Sequence, residues 1–219
     1  MHTHAMANLP SPETQAKVVS DAAQNFVEHY YESLNRRQPL GQYYASASPH
    51  LTSASASAKP DISINGRVVE SVAAYEALLD AQGAHVHYVV ASFDAHPVNP
   101  NYVLGCPAAL LLAADGGGGE PAAGGPGRGK VAKSIRDGDR ISFAVQVSGT
   151  IRYGKPGKPG DGPVAGGGAA AGATATDGAP VEAAFNEAWL LVPHWEALGR
   201  NAARGLRKWL VVSQNFRTF

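Results

Sequence analysis

His85 and His87, one residue apart, are the side chains of this chain best suited to chemistry. On a strand, the two-residue period sets both imidazoles on one face, a geometry for metal ligation or for a general base. A tetrahedral metal site needs further donors, and none stands at a matching spacing. Residues 124–130 (GGPGRGK) follow the outline of a phosphate-binding loop, with a lysine after the second glycine. Val131 stands where that loop needs a hydroxyl for Mg²⁺, and the segment lies inside a glycine-rich stretch, so the match reads as chance. Arg217 sits between aromatics in Phe216-Arg217-Thr218-Phe219. Its guanidinium either lies in water on an exposed face or meets a carboxylate of another protein, which its planar fork suits.

Composition narrows the classes of function. Eighteen Lys and Arg balance eighteen Asp and Glu over 219 residues, without the basic excess of a protein that grips nucleic acid with its whole surface. The single cysteine, Cys106, excludes an internal disulfide framework and fits a reducing compartment. No secretory h-region is visible in residues 1–10, and no apolar run approaches bilayer length. The expectation is a soluble intracellular protein, nuclear or cytosolic.

Two low-complexity stretches, about 113–130 and 154–180, hold eight and nine of the 25 glycines. They lack the branched and aromatic residues needed to offset ordering entropy and read as flexible loops. With residues 1–10 as a flexible N-terminus, 11–219 is expected to form one domain carrying both loop inserts. Ser11-Pro12-Glu13 marks a helix start. The stripe Val19, Ala23, Phe26, Tyr30, Leu34 continues it over 13–35, ending before Pro39. A short second helix is expected at 40–44. Asn65-Gly66 predicts a hairpin within 62–69, and Ser71 caps a third helix that stops at Gly83.

Long strands are then expected at 84–94, 102–113, 141–153, 183–192 and 207–217. In the first of these, His85, His87, Val89 and Ala91 alternate with Val86, Tyr88, Val90 and Ser92. His194 to Gly199 reads as a short helical excursion between the last two strands. Helices first and strands after give an α+β fold with helices on one face of an antiparallel sheet. The inserts fall at hairpin tips, where added length costs little, ~0.6 kcal/mol per doubling.

The succession of motifs carries a family resemblance. It runs from Phe26-Val27 and Tyr30-Tyr31 on a helix, through the Asn65-Gly66 hairpin, to Asp94-Ala95-His96-Pro97-Val98. It continues with Val147-Ser148-Gly149-Thr150-Ile151, Phe185-Asn186-Glu187 and Ser213-Gln214-Asn215-Phe216-Arg217. This order resembles the nuclear transport factor 2-like family, most closely the small subunit of the heterodimeric mRNA export receptor, the fungal mRNA transport regulator type. The long glycine-rich inserts depart from the compact animal form.

The resemblance implies a cone-shaped domain with a strongly bent antiparallel sheet and helices on its concave face. It further implies a non-enzymatic adaptor whose uncovered sheet face pairs with the large TAP/Mex-type subunit. The heterodimer would carry mRNA ribonucleoprotein through nuclear pores by contacts with Phe-Gly nucleoporins, shuttling between nucleus and cytoplasm. Large apolar faces mark association surfaces, and Tyr88, Tyr102, Phe143, Tyr153, Phe185 and Trp189 are strand aromatics that could supply one. Parity turns about half of them inward. The expected interface set is Arg217, Phe216, Phe185, Trp189, Tyr153 and Phe143, with Arg217 in an ion pair with a partner aspartate.

The basic loop residues Arg128, Lys130, Lys133, Lys155 and Lys158 are expected either to touch RNA or a large ribosomal subunit precursor or simply to solubilise their loops. The alternatives are a homodimeric import carrier for a small GTPase and a cone-cavity dehydratase or isomerase. For the latter, Asp94, Tyr30 and Tyr31 would join the histidines. No catalytic, cofactor or metal residue is assigned.

Overall fold

In the computed structural model, residues 9–54, 59–112, 135–154, 181–199 and 202–219 are described. Both glycine-rich segments therefore lie outside the described residues, apart from Gly154 at the edge of the second. So do Arg128, Lys130, Lys133, Lys155 and Lys158.

Helix α1 (Pro12–Asn35) begins as its sequence dictates, with the Ser11 hydroxyl accepting the Thr14 N–H at 3.1 Å. Its stripe of Val19, Ala23, Phe26, Val27, Tyr30, Tyr31 and Leu34 is buried. The segment expected to form a short helix at 40–44 makes two tight 3₁₀ turns, Gly41–Tyr43 and Ala45–Ala47. A helix not expected from the sequence, α2 (Pro49–Ala54), follows them. Strands β1 (Asp61–Ile64) and β2 (Arg67–Val69) flank Asn65 and Gly66, which take φ of 51° and 81°, the positive values that a tight primed turn demands. Helix α3 (Val72–Ala81) starts at the Ser71 cap. Its C-terminal end is held by Arg37, whose guanidinium donates to Leu79 O and, just past the helix, to Gly83 O at 2.6 Å each.

Strand β3 (Val86–Asn99) is longer than its alternation suggests. A bulge between Val90 and Ser92 shifts its register, so Ser92, Asp94 and His96 share a face with His87 and Val89, not with Val90. The strand expected at 102–113 does not form. Gly105 adopts φ 70°, with its α-carbon side against the His50 carbonyl, Pro107 follows, and Ala108–Leu112 coil into α4. The apolar run suited either structure by periodicity; the Gly and Pro before it decide for the helix.

Strands β4 (Ser142–Tyr153), β5 (Val181–Pro193) and β6 (Trp209–Thr218) complete the sheet, with α5 (Trp195–Leu198) between the last two. The six strands run β2-β1-β6-β5-β4-β3 in a curved, unclosed sheet. All neighbours are antiparallel except β1 and β6, which pair parallel from Asp61–Ser213 to Ile64–Phe216. That pair corrects the all-antiparallel expectation. Pro97 lies on β3, an edge strand, where a missing N–H is tolerated. A second small core of Ala45, Leu51, Val192, Trp195 and Leu210 closes one end.

Candidate partner-binding face and the buried acid beneath it

Matched registers across β4, β5 and β6 sort every side chain onto one of two faces. Phe143 pairs with Leu191, Val145 with Trp189, Val147 with Glu187 and Gly149 with Phe185; Trp189 in turn pairs with Gln214 and Glu187 with Phe216. All of these point to α1. Phe143, Phe185, Trp189 and Phe216 are at most 4% exposed, and Tyr153 packs half-buried against the same core. Five of the six residues expected at the interface are thus core residues of the helix side. The reason is that pairing carries one parity across three strands, so the aromatics do not divide between faces. Tyr88 is also inward, and Tyr102 stacks on Trp195 at the end of the domain.

The opposite face, uncovered by any described helix, is small and polar. Ala144, Gln146, Ser148, Thr150 and Arg152 on β4 lie beside Glu182, Ala184, Asn186, Ala188 and Leu190 on β5. Neighbouring strands satisfy each other across this face. Arg152 Nε donates to Glu182 at 2.8 Å, Gln146 donates to Asn186 at 3.4 Å, and Ser92 bonds Ser148 at 2.8 Å. Arg217 is the sixth expected residue and lies on this face, opposite Asn186 and exposed. Among the described residues its side chain makes one polar contact, Nε donating to Asn215 Oδ1 at 3.3 Å. Among the described residues no carboxylate lies within ion-pair distance of it. A face of this kind can take a partner through close backbone approach at its alanines and hydrogen bonds at its rim, as protein interfaces combine them.

Among the described residues the histidine pair gathers no further metal-binding side chain. His87 is exposed opposite Arg152, and His85 precedes the strand with its carbonyl accepting the Gly154 N–H. Among the described residues no group of three metal-binding side chains assembles. Asp94 pairs with His96 at 3.1 Å on the surface, whereas Tyr30 and Tyr31 are buried on the other side of the sheet. The set of Asp94 with Tyr30, Tyr31 and the histidines is therefore not brought together.

What sequence reasoning missed is a buried acid. Glu187 is fully enclosed between β5 and α1. Oε2 accepts the Tyr31 hydroxyl at 2.5 Å and Oε1 accepts Gln214 Nε2 at 2.5 Å. Gln214 Nε2 also reaches the Tyr30 hydroxyl at 3.2 Å, Tyr44 donates to Gln214 Oε1 at 2.7 Å, and the Tyr30 and Tyr44 hydroxyls lie 3.0 Å apart. Burial pushes the Glu187 carboxyl up to about 7, against the opposing pull of the Tyr31 and Gln214 donors. Burial likewise raises Tyr30, Tyr31, Tyr44 and Tyr75 well above the usual phenol range. Around this cluster the rings of Phe26, Tyr30, Tyr31, Tyr43, Phe185 and Trp189 stand 4.9–5.8 Å apart by centroid and fill the inside of the cone. A cleft of about 480 Å³ runs along α1 beside Tyr43 and residues 206–209, and one of about 190 Å³ lies between α1 and α3. Neither is lined by Glu187, Tyr30 or Tyr31.

Comparison with solved structures assigns the architecture. A chain of a structure described as a Sac3N peptide bound to Mex67:Mtr2 superposes with a TM-score of 0.68 at 26% identity, covering 91% of this chain and 98% of that one. A chain of the Chaetomium thermophilum Mex67 NTF2-like domain complexed with Mtr2 gives 0.67 at 27% identity, with the same coverage. The fold is nuclear transport factor 2-like, of the Mtr2 type. A structure of Mtr2 itself gives 0.66 at 24% identity over 94% of this chain and 99% of that one, a likeness of fold. No protein-family profile matches the chain, and no curated protein matches it.

Proposed function

We propose that this chain is a non-enzymatic adaptor that pairs, sheet face to sheet face, with the nuclear transport factor 2-like domain of a Mex67-type large mRNA export subunit. The observation that carries this reading is the likeness, at nearly full length of both chains, to chains solved within Mex67:Mtr2 complexes. The uncovered polar face supports it, because it supplies a surface for the partner without exposing the aromatic core. Arg217 is the residue proposed to meet a partner carboxylate, and Phe143, Tyr153, Phe185, Trp189 and Phe216 serve from behind by holding the strands onto α1.

In the finer form of the proposal, the heterodimer works in the nucleus and at the nuclear pore and shuttles to the cytoplasm. It carries mRNA ribonucleoprotein by weak contacts with Phe-Gly nucleoporins. Arg128, Lys130, Lys133, Lys155 and Lys158 are candidate contacts for RNA or for large ribosomal subunit precursors. The filled cone supports an adaptor over a dehydratase or isomerase, since neither described cleft reaches the buried acid.

Size-exclusion chromatography of the chain with and without a Mex67-type partner domain tests the reading. A stable one-to-one complex is expected, with an interface of obligate size, over ~2,000 Å². Separate elution at micromolar concentration would sink it. Arg217→Glu should weaken the complex by at least tenfold, about 1.4 kcal/mol or more. An unchanged affinity would remove Arg217 from the interface.

A further inference from the structure

Arg217 is held by residues that no sequence motif connects to it. Asn65, at the tip of the β1–β2 hairpin, takes both backbone groups that flank it: the Asn65 N–H donates to Phe216 O at 2.8 Å, and Asn65 Oδ1 accepts the Thr218 N–H at 2.8 Å. The peptide units on either side of Arg217 are therefore fixed to one turn. Gly66 lies beneath the side chain. A Cβ built there would stand 3.4 Å from Arg217 Nη1 and 3.9 Å from Cζ, so the guanidinium rests on a position with no side chain. From the strand itself, Asn215 Oδ1 accepts Arg217 Nε at 3.3 Å. Among the described residues neither Nη group has a hydrogen-bond partner, which leaves a fork for an incoming carboxylate, the bidentate arrangement that arginine offers and lysine does not.

Building on the proposed function, we infer that Asn65, Gly66 and Asn215 form a seat that preorganises Arg217 for a carboxylate of the partner. A free arginine gives up much of its rotamer freedom when it enters an ion pair, and a side chain already held gives up less. The positive φ of Asn65 and Gly66 then has a use beyond turning the chain: it brings a bare backbone under the guanidinium. The parallel pairing of β1 with β6 is what carries the hairpin tip to that place.

A double-mutant cycle on the purified heterodimer with the partner's nuclear transport factor 2-like domain tests this. Dissociation rates are measured for Asn65→Gly, which keeps the turn conformation but removes Oδ1, and for the exposed Asn215→Ala, which leaves the backbone untouched. Each is made in the native chain and in an Arg217→Ala chain. The expected result is dissociation ~3–10-fold faster for each variant in the native background and unchanged in the Arg217→Ala background. Equal acceleration in both backgrounds assigns these residues a merely structural or direct-contact role and overturns the inference. So does no acceleration in the native background when Arg217→Ala itself accelerates dissociation, and the partner reading then stands. If Arg217→Ala is itself silent, the ion-pair reading and the seat fall together.

Discussion

Glu187 shows how one side chain can be held by opposing forces. Both of its oxygens accept neutral donors, Tyr31 and Gln214, so the hydrogen bonds favour the anion, while burial without a cation nearby favours the acid. Burial wins, placing the carboxyl at about 7 instead of 4.5. The folded chain therefore holds this proton more tightly than the unfolded chain does. Its contribution to stability is full below about pH 4.5 and falls as pH rises through about 7, by about 3 kcal/mol in all. Glu187→Gln should flatten that slope and be the more stable chain at pH 8, as read by urea unfolding between pH 5 and 8.5. Parallel pH curves for the two proteins would contradict this. The sequence carries half of the signal, since Glu187 alternates in phase with Phe185 and Trp189, and Gln214 with Phe216. The other half lies 156 positions away at Tyr31, and no local pattern reveals that a strand glutamate has tyrosines waiting for it. Arg217 was legible because its neighbours made it conspicuous, whereas the residues that hold it were not.

Elements with local causes are the ones the sequence exposes. The Ser11 cap, the stripe of α1 and the Asn65-Gly66 turn each act within a few residues and form as expected. The parallel β1–β6 pair and the β3 bulge depend on distant neighbours, and pattern alone does not find them. Two predictions belong at this scale. The Asn35 side chain, at the end of α1, imitates a strand: Oδ1 accepts the Tyr88 N–H at 2.7 Å and Nδ2 donates to Tyr88 O at 2.9 Å. Asn35→Ala should cost about 2 kcal/mol by leaving a part-buried peptide unsatisfied, measured as a shift in the denaturant midpoint. A shift within 0.5 kcal/mol, of the order typical of neutral surface changes, would mean that water replaces the amide. Gly149 is the second case, since a Cβ there would lie 2.1 Å from the Val89 carbonyl oxygen and 2.7 Å from the Phe185 ring. Gly149→Ala should destabilise by about 3 kcal/mol in the same assay. Shrinking Phe185 should not rescue it, because the Val89 carbonyl belongs to the backbone.

On the scale of the whole molecule, the described residues divide into a filled aromatic side and a small polar side of the sheet that no described helix covers. Binding to the folded chain alone should raise its melting temperature with partner concentration, by about 2.7 kcal/mol of added stability at one hundred times Kd. Scanning fluorimetry at two partner concentrations reads this directly, and a melting temperature indifferent to the partner would argue against pairing. One arrangement in the sheet also bears on synthesis. The order β2-β1-β6-β5-β4-β3 sets the strand translated latest among the six between β1 and β5. A nascent chain stopped before Trp209 has its first hairpin and its three-strand half without the strand that hydrogen-bonds them into one sheet. On the ribosome the two halves can therefore become one continuous sheet only after β6 has emerged.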